Sequence, residues 1–176
     1  MPERKRLPPH LLVETALGAA LEAKEVERRV TRMMSALDLH GAELSVVLTD
    51  DAQMRKLNRL YRKKNCTTDV LAFAMTESAG NARSRVGAMP RLLGDVIVSV
   101  PTARKQANEA DRSLLEEVTM LLAHGLLHLL GWDHATVADD AAMRSETERL
   151  CAEARRGRKV AKRRVQRRHG HPRKLS

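Results

Sequence analysis

His124, His128 and His134 stand within the stretch HGLLHLLGWDH, residues 124–134, of a chain with 7 histidines in all. On a helix of about 3.6 residues per turn, positions four apart lie about 40° from one another, so the imidazoles of His124 and His128 reach a common point. The leucines around them predict a helix. Gly131 tolerates the left-handed backbone that ends one, which would turn the chain and carry His134 back towards the first two rings. Neutral imidazole is a preferred zinc ligand, and three protein ligands with a vacant fourth position make a catalytic rather than a structural site. A histidine pair alone is explained as readily by packing; the third histidine behind a glycine makes one zinc ion per chain the better expectation.

The same spacing occurs in the zinc-protease motif H-E-x-x-H-x-x-G-x-x-H, where the glutamate after the first histidine is the general base. Here that position is Gly125, which has no proton acceptor. Peptide hydrolysis on this helix would therefore need a base from elsewhere in the fold. A zinc ion lowers the pKa of bound water from near 16 to about 7, so hydroxide chemistry at neutral pH does not require that glutamate.

Other polar residues could serve such a centre. Asp133, beside the third histidine, could accept an imidazole N–H and fix a tautomer, or simply shape a turn. Asp95 opens an otherwise apolar strand and could stand behind a ligand, or be solvated at the strand end. The run NRLYRKKN, residues 58–65, presents Arg59, Arg62, Lys63 and Lys64. Arginine there could clamp a phosphate by paired hydrogen bonds, while on charge alone the run reads as a solvated helix end.

The elements that must position these groups follow from periodicity. HLLVE (10–14) reads as a first strand, and Val26, Val30, Met33, Met34 and Leu37 recur at helical spacing over 22–37. AELSVVLTD (42–50) reads as a strand, and Asp50 with Gln53 resembles a capping box opening a helix to about Tyr61. DVLAFAM (69–75) and GDVIVSV (94–100) are strands separated by a Gly-, Ser-, Arg- and Asn-rich loop, and Pro101 can begin the next helix. Ser113 with Glu116 caps the histidine helix, and Thr136 to about Arg156 forms a final amphipathic one. The expected fold is α+β: a single domain with a small mixed sheet covered by helices.

The 176 residues suit one domain with a proper core. The net charge of +10 is not spread evenly. From residue 155 onward there are eleven Lys and Arg and no acid, whereas the preceding 154 residues carry 21 basic against 22 acidic side chains, formally −1. Residues 1–154 are thus the expected folded domain, and 155–176 a basic, self-repelling extension that is either merely solvated or adds salt-sensitive, non-specific RNA affinity. Two cysteines, Cys66 and Cys151, form no disulfide framework. The longest apolar stretch is too short for a bilayer and no secretory signal is evident, so no membrane association and a cytoplasmic location are expected. Tyr61, Phe73 and Trp132 are the chain's aromatic residues, too few for extensive base-stacking readout.

HGLLHLLGWDH closely resembles the H-G-x-L-H-L-x-G-Y-D-H signature of the YbeY family, bacterial metal-dependent endoribonucleases that act as ribosomal RNA maturation factors. LNRLYRKKNCTTDVLAF (57–73) and LGDVIVS (93–99) resemble two further family segments, in matching order and spacing. The likeness covers roughly residues 10–154. It implies a zinc site of His124, His128 and His134, and gives Arg62 the family's functional place against the RNA backbone, so that these four residues would carry catalysis. It further implies a single-strand-specific endoribonuclease that matures the 3′ end of small-subunit ribosomal RNA and serves ribosome quality control, with RNA and the small subunit as partners. The chain departs from the pattern at Asn65, Thr67, Ala72, Ala74 and Trp132, none of them an expected ligand. Two other classes stay open: a zinc peptidase of unusual type, and a non-catalytic ribosome-associated RNA-binding protein with structural zinc.

Overall fold

Apolar side chains that alternate along strands and recur every three to four residues along helices bury themselves by stacking one layer on the other. The computed structural model describes residues 10–15, 21–75, 91–133 and 135–156. Among them, in chain order, come β1 (His10–Thr15), α1 (Ala23–Ala36), β2 (Ala42–Thr49), α2 (Asp51–Arg62), β3 (Val70–Ala74), β4 (Arg91–Ser99), α3 (Val100–Glu109), α4 (Leu114–Leu129) and α5 (Val137–Arg155). The expected α+β domain with a small mixed sheet is what the chain forms. The expected basic extension 155–176 begins on the last helical residue, Arg155; residues 157–176, and residues 76–90 between β3 and β4, lie outside the described residues.

The sheet order is β1-β2-β4-β3. β1, β2 and β4 run parallel, and β3 lies antiparallel to β4 at one edge. One face carries Leu44, Val46, Leu48, Val96 and Val98 into the main core with α1, α4 and α5. The other face carries Leu71 and Ile97 into a smaller cluster with Met54 of α2, flanked by Val47, Leu57 and Phe73. Because a strand's side chains alternate, these lists fix which way each intervening residue points.

β4 begins at Arg91, three residues before the expected Gly94. Glycine reads as a strand breaker, but here it sits at a bulge: pairing with β2 skips Leu93 between Leu92 and Gly94. Gly94 takes φ +133°, and a Cβ there would stand 2.0 Å from the Phe73 carbonyl oxygen. The strand therefore runs through the glycine, which permits the bulge without ending the ladder.

Helix starts follow their side-chain caps. Ser113 Oγ accepts the Glu116 N–H at 3.2 Å while the Glu116 carboxylate accepts the Ser113 N–H at 3.1 Å, a reciprocal box opening α4. Thr136 and Asp139 do the same for α5. Asp50 accepts the Gln53 N–H at 2.7 Å to open α2. At its second position, α3 carries Pro101, where a missing N–H costs nothing. No described helix is long and apolar enough to cross a membrane.

Candidate metal centre

α4 runs between the sheet and helices α1 and α5, so most of its surface is covered. Leu126 and Leu127 are fully buried, each worth about 1.5–3 kcal/mol on the transfer scale. Within 121–129 the two positions that remain half-open are His124 and His128. They share one face, with Nε2 of one 3.2 Å from Nε2 of the other. Their ring planes stand at 87°, centroids 4.7 Å apart.

The end of α4 sets the second ring. Leu130 closes the helix, and Gly131 follows at φ +89°. The Gly131 N–H donates to the His128 carbonyl at 3.0 Å and the Trp132 N–H to the Leu127 carbonyl at 3.1 Å, the paired bonds of a Schellman turn. That turn aims the Trp132 carbonyl at His128, 3.0 Å from Nδ1. A carbonyl only accepts, so Nδ1 carries the proton and Nε2 is left with its lone pair. Two imidazole nitrogens each about 2.0–2.1 Å from one tetrahedral zinc ion would be separated by about 3.3 Å. The spacing of His124 and His128, and the committed tautomer of His128, fit such an ion.

The remaining expected residues fall as follows. His134 lies outside the described residues, and among those described no third His, Cys, Asp or Glu completes a metal-holding group with the pair. Asp133 is exposed in the turn, and the bond that sets the His128 tautomer comes from the backbone carbonyl just before it. Asp95 is not brought to the histidines. Its neighbour Val96 packs under Gly125 of α4, while Asp95 pairs with Phe73 and points with it to the α2 side of the sheet. Arg62 is exposed at the end of α2 and makes no hydrogen bond or ion pair with the described residues. Of the departures from the family pattern, Thr67 places its hydroxyl 3.3 Å from the Asp51 carboxylate, and Ala72 packs against the main core.

Gly125, where a protease carries its base, faces the sheet. An added Cβ would stand 2.6 Å from Val96 Cγ1, so helix and sheet meet at a distance only glycine allows. No acid fits there, and the peptidase reading has no base from its own motif.

Sequence reasoning missed a cleft of about 510 Å³ into which His124 opens, lined also by Arg29, Asp69, Arg112, Thr119 and Arg155. Asp69 is fixed by the Val70 N–H at 2.8 Å and the Gln106 side-chain amide at 3.0 Å. Glu117, seven residues before His124 on the same helix face, is only 2 % exposed. Arg112 Nη2 lies 3.0 Å from its Oε2, at an angle that makes no hydrogen bond. Burial pushes the Glu117 carboxyl above the usual range, Arg112 opposing and Asp69 reinforcing. The signal available was a glutamate inside an apolar helix; that it would be buried depends on the tertiary packing that brings Arg112 and Asp69 to it.

Residues 12–155 match the family model described as endoribonuclease YbeY. The chain is 42 % identical over 133 residues to an endoribonuclease YbeY of Bacillus cereus, covering 75 % of this chain and 78 % of that one. It is 46 % identical over 110 residues to that of Aquifex aeolicus, covering 62 % and 68 %. The solution structure of a Thermotoga maritima protein has the same fold, with a TM-score of 0.58 at 19 % identity over 82 % of this chain and 88 % of the other. With the match running from within β1 to the end of α5, histidine helix included, the chain belongs to the YbeY family of endoribonucleases.

Proposed function

We propose that this chain is a zinc-dependent, single-strand-specific endoribonuclease of ribosomal RNA, acting in the cytoplasm on the 3′ end of small-subunit RNA and in ribosome quality control. The observation that carries the reading is the His124–His128 pair, two Nε2 atoms 3.2 Å apart with the tautomer of His128 already committed. His134 supplies the third ligand in this reading. A zinc ion bound there supplies Lewis-acid polarisation of a phosphoryl oxygen and acidifies water to a pKa of about 7.

The chain's own residues do the rest. His128 is held at Nδ1 by the Trp132 carbonyl, which keeps its ring from rotating and its Nε2 turned towards His124. The long side chain of Arg62, unpaired among the described residues, reaches the phosphate and offsets charge developing on it. Gly125 leaves no carboxylate at the position of the protease base, consistent with phosphodiester rather than peptide chemistry. With so few aromatic residues the isolated protein discriminates bases weakly, and the ribosome supplies site selection.

The test pairs metal analysis of purified chain with cleavage of single-stranded and duplex RNA, with and without chelator. One zinc per chain and chelator-sensitive cleavage of the single strand are expected. A nuclease-free preparation that cleaves equally after metal removal, or in the His128→Ala variant, overturns the proposal.

A further inference from the structure

Most arginines of α1 and α5, and Arg112 before α4, are matched by acids, Arg32 excepted, which donates to the Ala154 carbonyl at 2.8 Å. Glu25 pairs with Arg28 and Arg29, Glu117 with Arg112, Asp140 with Arg144, Glu146 with Arg149, and Glu153 with Arg156. α2 is different. Arg55, Lys56, Arg59 and Arg62, then Lys63 and Lys64, are all exposed, and none forms an ion pair among the described residues. Arg55, Arg59 and Arg62, spaced four and three apart, make one stripe along about 10 Å of helix axis. Asp51, the single acid of α2, stands four residues before Arg55 and in electrostatic contact with it, so the formal charge of −1 for residues 1–154 hides a ridge on which cations outnumber acids.

Beside the ridge stands an aromatic side chain that solvent alone does not explain. Tyr61 is 60 % exposed, with its ring centroid 4.8 Å from that of Phe73 and tilted by 56°. Phe73 in turn packs on the Met54, Leu71 and Ile97 cluster, so the tyrosine is propped from beneath. The following loop is fixed as well: buried Asn58 donates its side-chain amide to the Cys66 carbonyl at 2.8 Å. Tyr61 shares the sheet-facing side of α2 with Met54 and Leu57, about 100–160° round the helix from the arginine stripe, so its ring opens at the helix end where β3 runs. An open ring beside a row of exposed cations is the composition that holds single-stranded nucleic acid, stacking for a base and charge for its phosphates.

We infer that α2 and the β3 edge beside its C-terminal end form a binding track for single-stranded RNA, with Arg55 and Arg59 on its phosphates and one base stacked on Tyr61. The inference rests on RNA being the substrate, and it extends the site beyond the histidines and Arg62. α2 and α4 cover opposite faces of the sheet, and β3 is the edge strand between them. A strand lying on α2 reaches the histidines by passing round β3.

Tyr61 is the chain's single tyrosine, so ring-labelled tyrosine reports on this place alone. In full-length His128→Ala protein, which in this reading binds without cleaving, single-stranded oligoadenylate is expected to move the Tyr61 ring resonances upfield. Tyr61→Leu should weaken its binding about tenfold, Tyr61→Phe should restore it, and the loss should be absent on duplex RNA. Removing Arg55 and Arg59 should lower the slope of log affinity against log salt by about 0.7 for each residue. A ring unmoved by saturating oligoadenylate overturns the track, as does a Tyr61→Leu variant that binds like its parent. A response to inorganic polyphosphate or to an acidic peptide equal to that with RNA overturns it too, assigning the face to charge alone or to a protein. Failure of the parent chain to cleave RNA while the Tyr61 shift persists rejects the catalytic proposal and leaves the track standing.

Discussion

Gly125 of α4 and Val96 of β4 meet so closely that a Cβ on the glycine would lie 2.6 Å from Val96 Cγ1 and 3.3 Å from Cγ2. Val96 is fully buried and β-branched, so it cannot swing aside. The glycine thus sets the depth at which the histidine helix sits on the sheet. Gly125→Ala gains about 1 kcal/mol of helix propensity and loses about 1–3 to overpacking, a net destabilisation expected in urea unfolding. Gly125→Glu should be far worse and should not unfold any less for having zinc supplied. An alanine variant as stable as the parent would show that the helix can lift without penalty.

Gly131 has nothing within 4 Å of an added Cβ, so its requirement is conformational and not steric. At φ +89° an alanine costs about 1 kcal/mol, and the turn that aims the Trp132 carbonyl at His128 relaxes with it. Gly131→Ala is expected to lower stability by about that amount while weakening zinc affinity about tenfold, the effect of losing a ligand's outer hydrogen bond. Trp132→Phe keeps the carbonyl and should leave affinity unchanged. Competition against a chromophoric chelator measures both, and a loss in Trp132→Phe equal to that in Gly131→Ala would assign the effect to the indole.

These two glycines mark where the sequence could be read and where it could not. Ser113 with Glu116 is a local pattern, contained in four residues, and α4 starts where it predicts, as α5 does after Thr136. Gly131 is local too, and ends α4 as its freedom for a positive φ implies. Asp95 is not local. Which face it takes depends on β4 pairing with β2 and β3 through the bulge at Leu93, a register that no window of β4 contains. The His128 partner is a backbone carbonyl, which has no residue type to read. The surplus of cations over acids on α2 became visible only once the ion pairs of the other helices were in place.

Asp51 at the start of α2 ties three segments together. Its Oδ1 accepts the hydroxyls of Ser99 at the end of β4, Thr102 in α3 at 2.7 Å, and Thr67 in the α2–β3 loop at 3.3 Å. The Ser99 and Thr102 hydrogen bonds hold its carboxyl below the usual range, burial opposing them. A folded pKa below the unfolded value of about 3.9 means the stabilisation is complete above that pH. It is lost as pH falls through the folded pKa. Asp51→Asn should cost about 1–2 kcal/mol at neutral pH. Its acid unfolding curve should converge on that of the parent as pH falls through the folded pKa, and a constant gap between the two curves down to full acid unfolding would show that the charge contributes nothing.

Glu117 carries the opposite sign. Burial raises its carboxyl pKa, Arg112 at 3.0 Å works against that, and Asp69 adds to it. For a folded pKa above the unfolded value of about 4.3, the contribution to stability is whole below that value and is lost as pH rises through the folded pKa. Glu117→Gln keeps the shape and removes the ionisation, so its melting temperature should match the parent near pH 4 and exceed it at pH 8. Arg112 is partly exposed and can turn to water once the carboxylate is gone, so it need not be stranded. If the variant instead melts below the parent at pH 8, attraction to Arg112 outweighs the desolvation of Glu117, and the ion pair is what holds this end of α4 against the cleft.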